Sequence, residues 1–200
     1  MNYNFFALIS RMKYINRWAL MRNTREENLC EHSMEVAIIA HALCVLGNTR
    51  HGKNLDANKA ALIGLYHDAS EIITGDMPTP VKYFNADLKS AYKDVEKLAE
   101  HRLVHHLPED MIEQYKEVFN YDKEDKNEAY MRRLVKAADK LSALIKCTNE
   151  VNAGNHEFTT AKESTEKSIR KLYMELPEVL DFVNEFMGPY GNTLDELLSK

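Results

Sequence analysis

Apolar residues recur at spacings of three and four along almost the whole chain, and no stretch alternates apolar with polar over a strand's length. That period belongs to amphipathic helices, so it restricts the fold to packed helices. Phe5, Leu8, Ile9, Met12 and Ile15 form the first stripe. Val36, Ile39, Ala40 and Leu43 form the second, in a helix from about Glu31 that Gly47 is expected to stop. A third helix, capped by Asp56, carries Leu62, Leu65 and Ile72 and is expected to end at Gly75. Pro78 and Pro80 then make 74–80 a stiff extended loop, with Thr79-Pro80 suited to start the next element.

Further helices are expected from about Asp87 to Pro108, around Met111, Ile112 and Tyr115, and from Glu128 to about Val151. Segment 122–127 has no apolar residue and reads as a surface loop. Two more helices fit 157–176 and 178–187, and Thr193 with Glu196 forms a capping box for a last turn. There is no hairpin signal and no internal repeat. The expected fold class is all-α.

Composition narrows the function. A net charge of −5 and the absence of a dense basic stripe argue against a nucleic-acid polymer as partner. Cys30, Cys44 and Cys147 form no CxxC pair, which suits reduced thiols in a cytoplasmic protein. The longest nearly apolar run, Val36 to Leu46, is shorter than the roughly 18 residues of a membrane span, so no membrane is expected.

Against this background His67-Asp68 stands one helical turn before Glu71, placing an imidazole and two carboxylates on one side of a helix. A lone helical histidine is an ordinary core or surface residue, but carboxylates grouped with it are costly to bury unless paired or bound to a metal. His32 opens the second helix, and Asp139 lies among small and apolar residues. With Lys136 and Lys140 nearby, Asp139 also fits a salt-bridged or exposed helical aspartate.

His32, His67-Asp68 and Asp139, in that order, resemble the H…HD…D signature of the HD-domain metallophosphohydrolases. Ile15-Asn16-Arg17-Trp18, Glu31-His32-Ser33, 66–71 and 74–85 further resemble the bacterial 5′-deoxynucleotidases of that superfamily. The resemblance covers nearly the whole chain and is weakest after about Gly154. It implies one HD-domain helical bundle over 1–200, with a metal-site core at about 28–142 and helices of 143–200 completing it. It implies one divalent ion held by His32, His67, Asp68 and Asp139, a deoxyribonucleoside 5′-monophosphate substrate, and a homodimer. Two imidazoles and two carboxylates suit Mn, Co, Fe or Zn; a closed tetrahedral zinc would instead be structural.

The roles the resemblance implies are specific. Glu71 orients or deprotonates the attacking water, or else fixes the tautomer of His67. Asp76 is a catalytic or substrate-contacting carboxylate. Arg17 offers a planar fork to the phosphate, and Trp18 covers the sugar or base, favouring a sugar without a 2′-hydroxyl. Met77, Pro78 and Thr79 complete the pocket, and the substrate also meets His32, Asp68 and Asp139. Lys82 is either an added charge or a solvated lysine. Alternatives are another nucleotide substrate (triphosphate, cyclic or alarmone) and a sensor that binds without turnover.

Overall fold

A computed structural model describes residues 2–82, 84–120 and 124–199, apart from the side chain of Thr79. The expected loop at 122–127 therefore falls partly outside the described residues. Among these the architecture is helical: α1 (Phe5–Ile9), α2 (Leu29–Arg50), α3 (Ala57–Tyr66), α4 (Glu71–Thr74), α5 (Thr79–Lys82), α6 (Ala86–Val104), α7 (Glu109–Phe119), α8 (Lys126–Asn152), α9 (Thr159–Arg170), α10 (Pro177–Phe186) and α11 (Leu194–Leu198). Short 3₁₀ turns at Ser10–Tyr14 and His156–Phe158 lead out of α1 and into α9. The extended pairing present is an isolated bridge between Asn16 and Asn28.

Helix starts follow local chemistry. Asn28, Asp56, Asn85 and Asp125 each accept backbone N–H groups of the first turn of α2, α3, α6 and α8. The capping box of Thr193 and Glu196 forms as expected.

The centre is α2 and α8, packed on α3 and α10. Val36, Ile39, Leu43, Leu134 and Leu141 are essentially solvent-free, and truncating Ile39 or any of the three leucines to alanine would cost about 2–5 kcal/mol. A second apolar cluster joins Phe5, Met12, Leu29, Ala69, Leu103 and Leu107. Tyr66 and Phe119 pack against both clusters and link them.

Several boundaries differ from the sequence reading. α2 begins at Leu29 and continues through Gly47. That glycine serves close approach, since a Cβ there would stand 2.9 Å from Glu178 Oε1 at the start of α10. With 22 residues and a mean hydropathy of 1.5, α2 is long and apolar enough to cross a membrane, which the run ending at Leu46 understated. Its apolar residues serve packing here, 56% of that stretch being buried within the fold. The third helix is not continuous to Gly75: α3 ends at Tyr66 and α4 starts at Glu71. The extended loop is confined to 75–78 because α5 already includes Thr79 and Pro80. The helix expected over 157–176 is a 3₁₀ turn followed by α9, which stops at Arg170.

Candidate active site

The break between α3 and α4 has a specific cause. His67 Nδ1 donates to the carbonyl of Gly64 at 2.7 Å, a local competitor for helical bonding. The backbone then tightens into bonds from Ala69 to Tyr66, Glu71 to Asp68, and Ile72 to Ala69, the three-residue spacing of a 3₁₀ turn. This turn carries His67 and Asp68 toward the first turn of α2, where His32 lies fully buried. His32, His67 and Asp68 each present a ligand atom within 4.8 Å of the others.

Both imidazoles have a defined tautomer. A carbonyl only accepts, so His67 Nδ1 carries hydrogen and, in the neutral ring, Nε2 presents a lone pair. His32 Nδ1 lies 3.0 Å from Ser142 Oγ, and that hydroxyl donates its hydrogen to Glu35 Oε2 at 2.6 Å. Ser142 therefore accepts from His32 Nδ1, leaving a lone pair on His32 Nε2. These lone pairs face carboxylates: His67 Nε2 is 3.1 Å from Asp68 Oδ2, and His32 Nε2 is 3.2 Å from Asp139 Oδ1 and 3.7 Å from Asp68 Oδ2. Neither Nε2 makes a hydrogen bond, although both are buried. Lone pairs aimed at anions repel unless a cation stands among them, so this donor set fits a divalent metal.

The electrostatics agree. In place of an ion, a proton on His67 Nε2 answers the same negative charge: burial alone would lower the His67 pKa, but the Asp68 carboxylate carries it up to about 9. Burial would raise that of Asp68, yet His67 and Arg17 hold it well below the usual carboxylate range. Asp139, which reaches His32 from outside that close trio and keeps 41% of its side chain exposed, is likewise held low by the two histidines against partial desolvation. The group thus attracts positive charge.

Arg17 and Trp18 lie on the segment between the 3₁₀ turn and α2. Its ends are tied by Arg17 N to Glu27 O at 2.8 Å and Leu29 N to Ile15 O at 3.0 Å. Arg17 Nη1 reaches Asp68 Oδ2 at 3.1 Å. Trp18 adopts φ 57°, a left-handed conformation that is strained for a bulky side chain. Asp76 Oδ2 accepts its N–H at 3.2 Å, Asn23 Nδ2 donates to its carbonyl at 3.2 Å, and its ring leans on Phe158.

Glu71 is buried, with Oε2 unpartnered. Burial first, then Asp68 and Asp76, push its carboxyl up to about 9. Burial also raises the pKa of Asp76, against the pull of Arg17.

Arg17 is thus held to Asp68 and Trp18 to Asp76 by hydrogen bonds, while Glu71 is set beside the two aspartates by the backbone turn that opens α4. Met77 and Pro78 follow Asp76, half-buried in the loop, while the Thr79 side chain lies outside the described residues. Lys82 donates to Glu96 at 2.7 Å beside the ring of Tyr92, and its charge also reaches Glu71. His41, His101, His105, His106 and His156 are exposed.

Sequence reasoning missed Glu27, Glu35 and Ser142. Glu27 Oε1 lies 3.4 Å from His32 Nδ1 and 3.8 Å from Arg17 Nε. The available signal was spacing: Glu35 stands three residues after His32, and Ser142 three after Asp139, on the same helix faces.

Comparison with known proteins agrees with this geometry. The YfbR-like 5′-deoxynucleotidase family model matches residues 4–190. A 5′-deoxynucleotidase of Erwinia tasmaniensis is 44% identical over 194 residues, covering 97% of this chain and 96% of its own length. One from Pectobacterium atrosepticum is also 44% identical over 194 residues, at 97% and 95% coverage. Among solved structures, an HD-domain phosphohydrolase of Listeria innocua superimposes with a TM-score of 0.77 at 24% identity, covering 92% of this chain and 86% of that one. The cyanophage S-2L HD phosphohydrolase DatZ, bound to dA and one catalytic Zn²⁺ ion, gives 0.62 at 20% identity, with 90% and 92% covered. These two structures share the fold, and sequence similarity along nearly the full length goes further: the chain belongs to the YfbR-like 5′-deoxynucleotidase family.

Proposed function

We propose that the protein hydrolyses deoxyribonucleoside 5′-monophosphates to deoxynucleoside and inorganic phosphate. His32, His67, Asp68 and Asp139 hold one divalent ion, of the Mn, Co, Fe or Zn kind. The observation that carries this reading is the pair of Nε2 lone pairs, set by Ser142 and Gly64, converging with the Asp68 and Asp139 carboxylates beside Arg17.

When bound, such an ion supplies Lewis-acid polarisation of the phosphoryl group and lowers the pKa of water. Arg17, steadied by Asp68, offers a planar donor to the phosphate oxygens as charge grows in line. Glu71 orients the attacking water and accepts its proton. Its pKa is raised first by burial and then by the Asp68 charge, so neutralising that charge lowers it toward the range a proton acceptor needs. Asp76 supplies the proton to the departing 5′-oxygen while its other oxygen holds the Trp18 backbone. The Trp18 ring faces the sugar, where a 2′-hydroxyl would be left without a partner. Met77, Pro78 and Thr79 form the remaining wall.

The same reading places the protein in the cytoplasm, supported by free thiols at Cys30, Cys44 and Cys147. It takes the protein to be a homodimer, supported by Met34, Ile38 and Val45, which keep 58%, 62% and 40% of their surface on one stripe of α2. Light scattering should then give twice the chain mass.

The deciding assay is phosphate release from dAMP and AMP after chelation and return of Mn²⁺, Co²⁺, Zn²⁺ or Mg²⁺. Release from dAMP that is restored by metal, and is much weaker with AMP, is the expected result. No release from either with any metal would overturn the assignment and favour another phosphate ester or a sensor.

A further inference from the structure

Glu150, near the end of α8, is 1% exposed and uncommonly well satisfied for a carboxylate. It accepts Thr24 N at 2.9 Å, Thr24 Oγ1 at 2.7 Å, Arg25 N at 3.3 Å, Asn155 Nδ2 at 2.8 Å and the ammonium of Lys146. Lys146 also donates to the Arg25 carbonyl, and Asn155 to that of Arg22 at 2.6 Å. Glu157 accepts from Arg22 N at 3.3 Å and Nε at 2.8 Å. Residues 22–25 are therefore gripped by their backbone from 146–157.

The grip extends to Trp18. Asn23, inside the clasped stretch, donates to the Trp18 carbonyl, and Phe158, fully buried just after the clasp, meets the indole with ring centroids 5.4 Å apart. Asp139, Ser142, Lys146 and Glu150 follow one another at intervals of three, four and four on a single face of α8. One rigid rod of roughly 16 Å, at 1.5 Å per residue, thus runs from the Asp139 carboxylate to the clasp. Left alone, the left-handed Trp18 would relax; such strain persists where the surroundings over-determine it.

We propose that Glu150 is a positioning residue for substrate selection: by clasping residues 22–25 it holds Trp18 in its left-handed conformation at a set distance from the metal-binding face of α8. The kinetic part of this rests on the deoxynucleotidase reading; the placement of Trp18 does not.

Trp18 is the sole tryptophan, so its fluorescence reports on the clasp directly. Glu150→Gln turns an amide N–H toward donors that the carboxylate accepts. Thr24→Val removes one hydroxyl donor while leaving Glu150 and Lys146 paired, and Thr24→Ser restores it. In Glu150→Gln, acrylamide quenching of the metal-free protein should rise. KM for dAMP should increase about tenfold, the effect of a lost hydrogen bond to a charged group. The dAMP-to-AMP preference should shrink and Mn²⁺ affinity, by calorimetry, should stay at the wild-type value. Thr24→Val should show a smaller change in the same direction, and Thr24→Ser none; this pair decides the matter if Glu150→Gln does not fold. Wild-type quenching and wild-type preference in a variant whose Tm alone has fallen would overturn the proposal and leave Glu150 a stability contact. Absence of dAMP hydrolysis in the wild type would refute the activity instead, and the quenching would still decide the clasp.

Discussion

Gly64 is where the packing of the fold and the geometry of the site depend on one missing methyl group. It lies in α3 against α2, and a Cβ built there would stand 2.8 Å from Ala37 Cα and 2.9 Å from Ala37 N. Contacting carbons settle at about 3.5–4.0 Å, so in Gly64→Ala the helices must part by roughly 0.7–1.2 Å. A backbone obstacle has no rotamer to move, which places the overpacking cost near the upper end of its usual range, about 3 kcal/mol. Alanine returns about 1 kcal/mol of helix propensity. The net loss of about 2 kcal/mol should lower Tm by about 4–8 °C in a chain of this size. Because α2 carries His32 and the Gly64 carbonyl holds His67, the same displacement should weaken Mn²⁺ binding about tenfold. Differential scanning calorimetry and metal titration would measure both. Adding Ala37→Gly removes only the 3.3 Å contact to Ala37 Cβ and should not rescue either property. A Gly64→Ala protein with unchanged Tm and metal affinity, or full rescue by Ala37→Gly, would refute the reasoning.

Ser142→Ala removes the group that fixes the His32 tautomer, and Mn²⁺ affinity should fall about 10- to 100-fold; an unchanged titration would show that Glu27 suffices at that nitrogen. Glu71→Gln keeps the shape and loses the proton acceptor, so kcat for dAMP should drop about 10²- to 10⁴-fold with metal still bound; a kcat within a factor of about three would remove Glu71 from proton transfer. For Glu150, burial tends to raise the pKa, but Lys146, Thr24 and Asn155 hold it below the ordinary glutamate value of 4.5. A carboxyl lowered by folding contributes stability that is complete above the unfolded value and drains as the pH falls. The resistance of the wild type to urea should therefore fall more between pH 6 and about pH 3 than that of Glu150→Gln; parallel curves would contradict it.

Much of this protein is legible in its sequence alone. The three-and-four spacing of Val36, Ile39, Ala40 and Leu43 marks a core helix whatever packs on it, and Thr193 with Glu196 encodes its own cap. The H…HD…D order picked out four residues that the fold draws together from α2, the turn after α3, and α8. Such signals are local, or sit within a motif specific enough to be read as one.

What the tertiary structure decided involves groups whose partners are far along the chain. Glu35, Ser142 and Glu150 look like ordinary helical polar residues until α2, α8 and the 15–28 segment are brought together. Then Glu35 meets Ser142 across 107 residues and Thr24 meets Glu150 across 126. Gly47 resembles a helix stop but serves the approach of Glu178, and the expected third helix gives way at His67 because its ring takes the Gly64 carbonyl. Periodicity tells a residue which way to face; burial and hydrogen bonding then depend on what arrives at that face, and only the packed helices supply it.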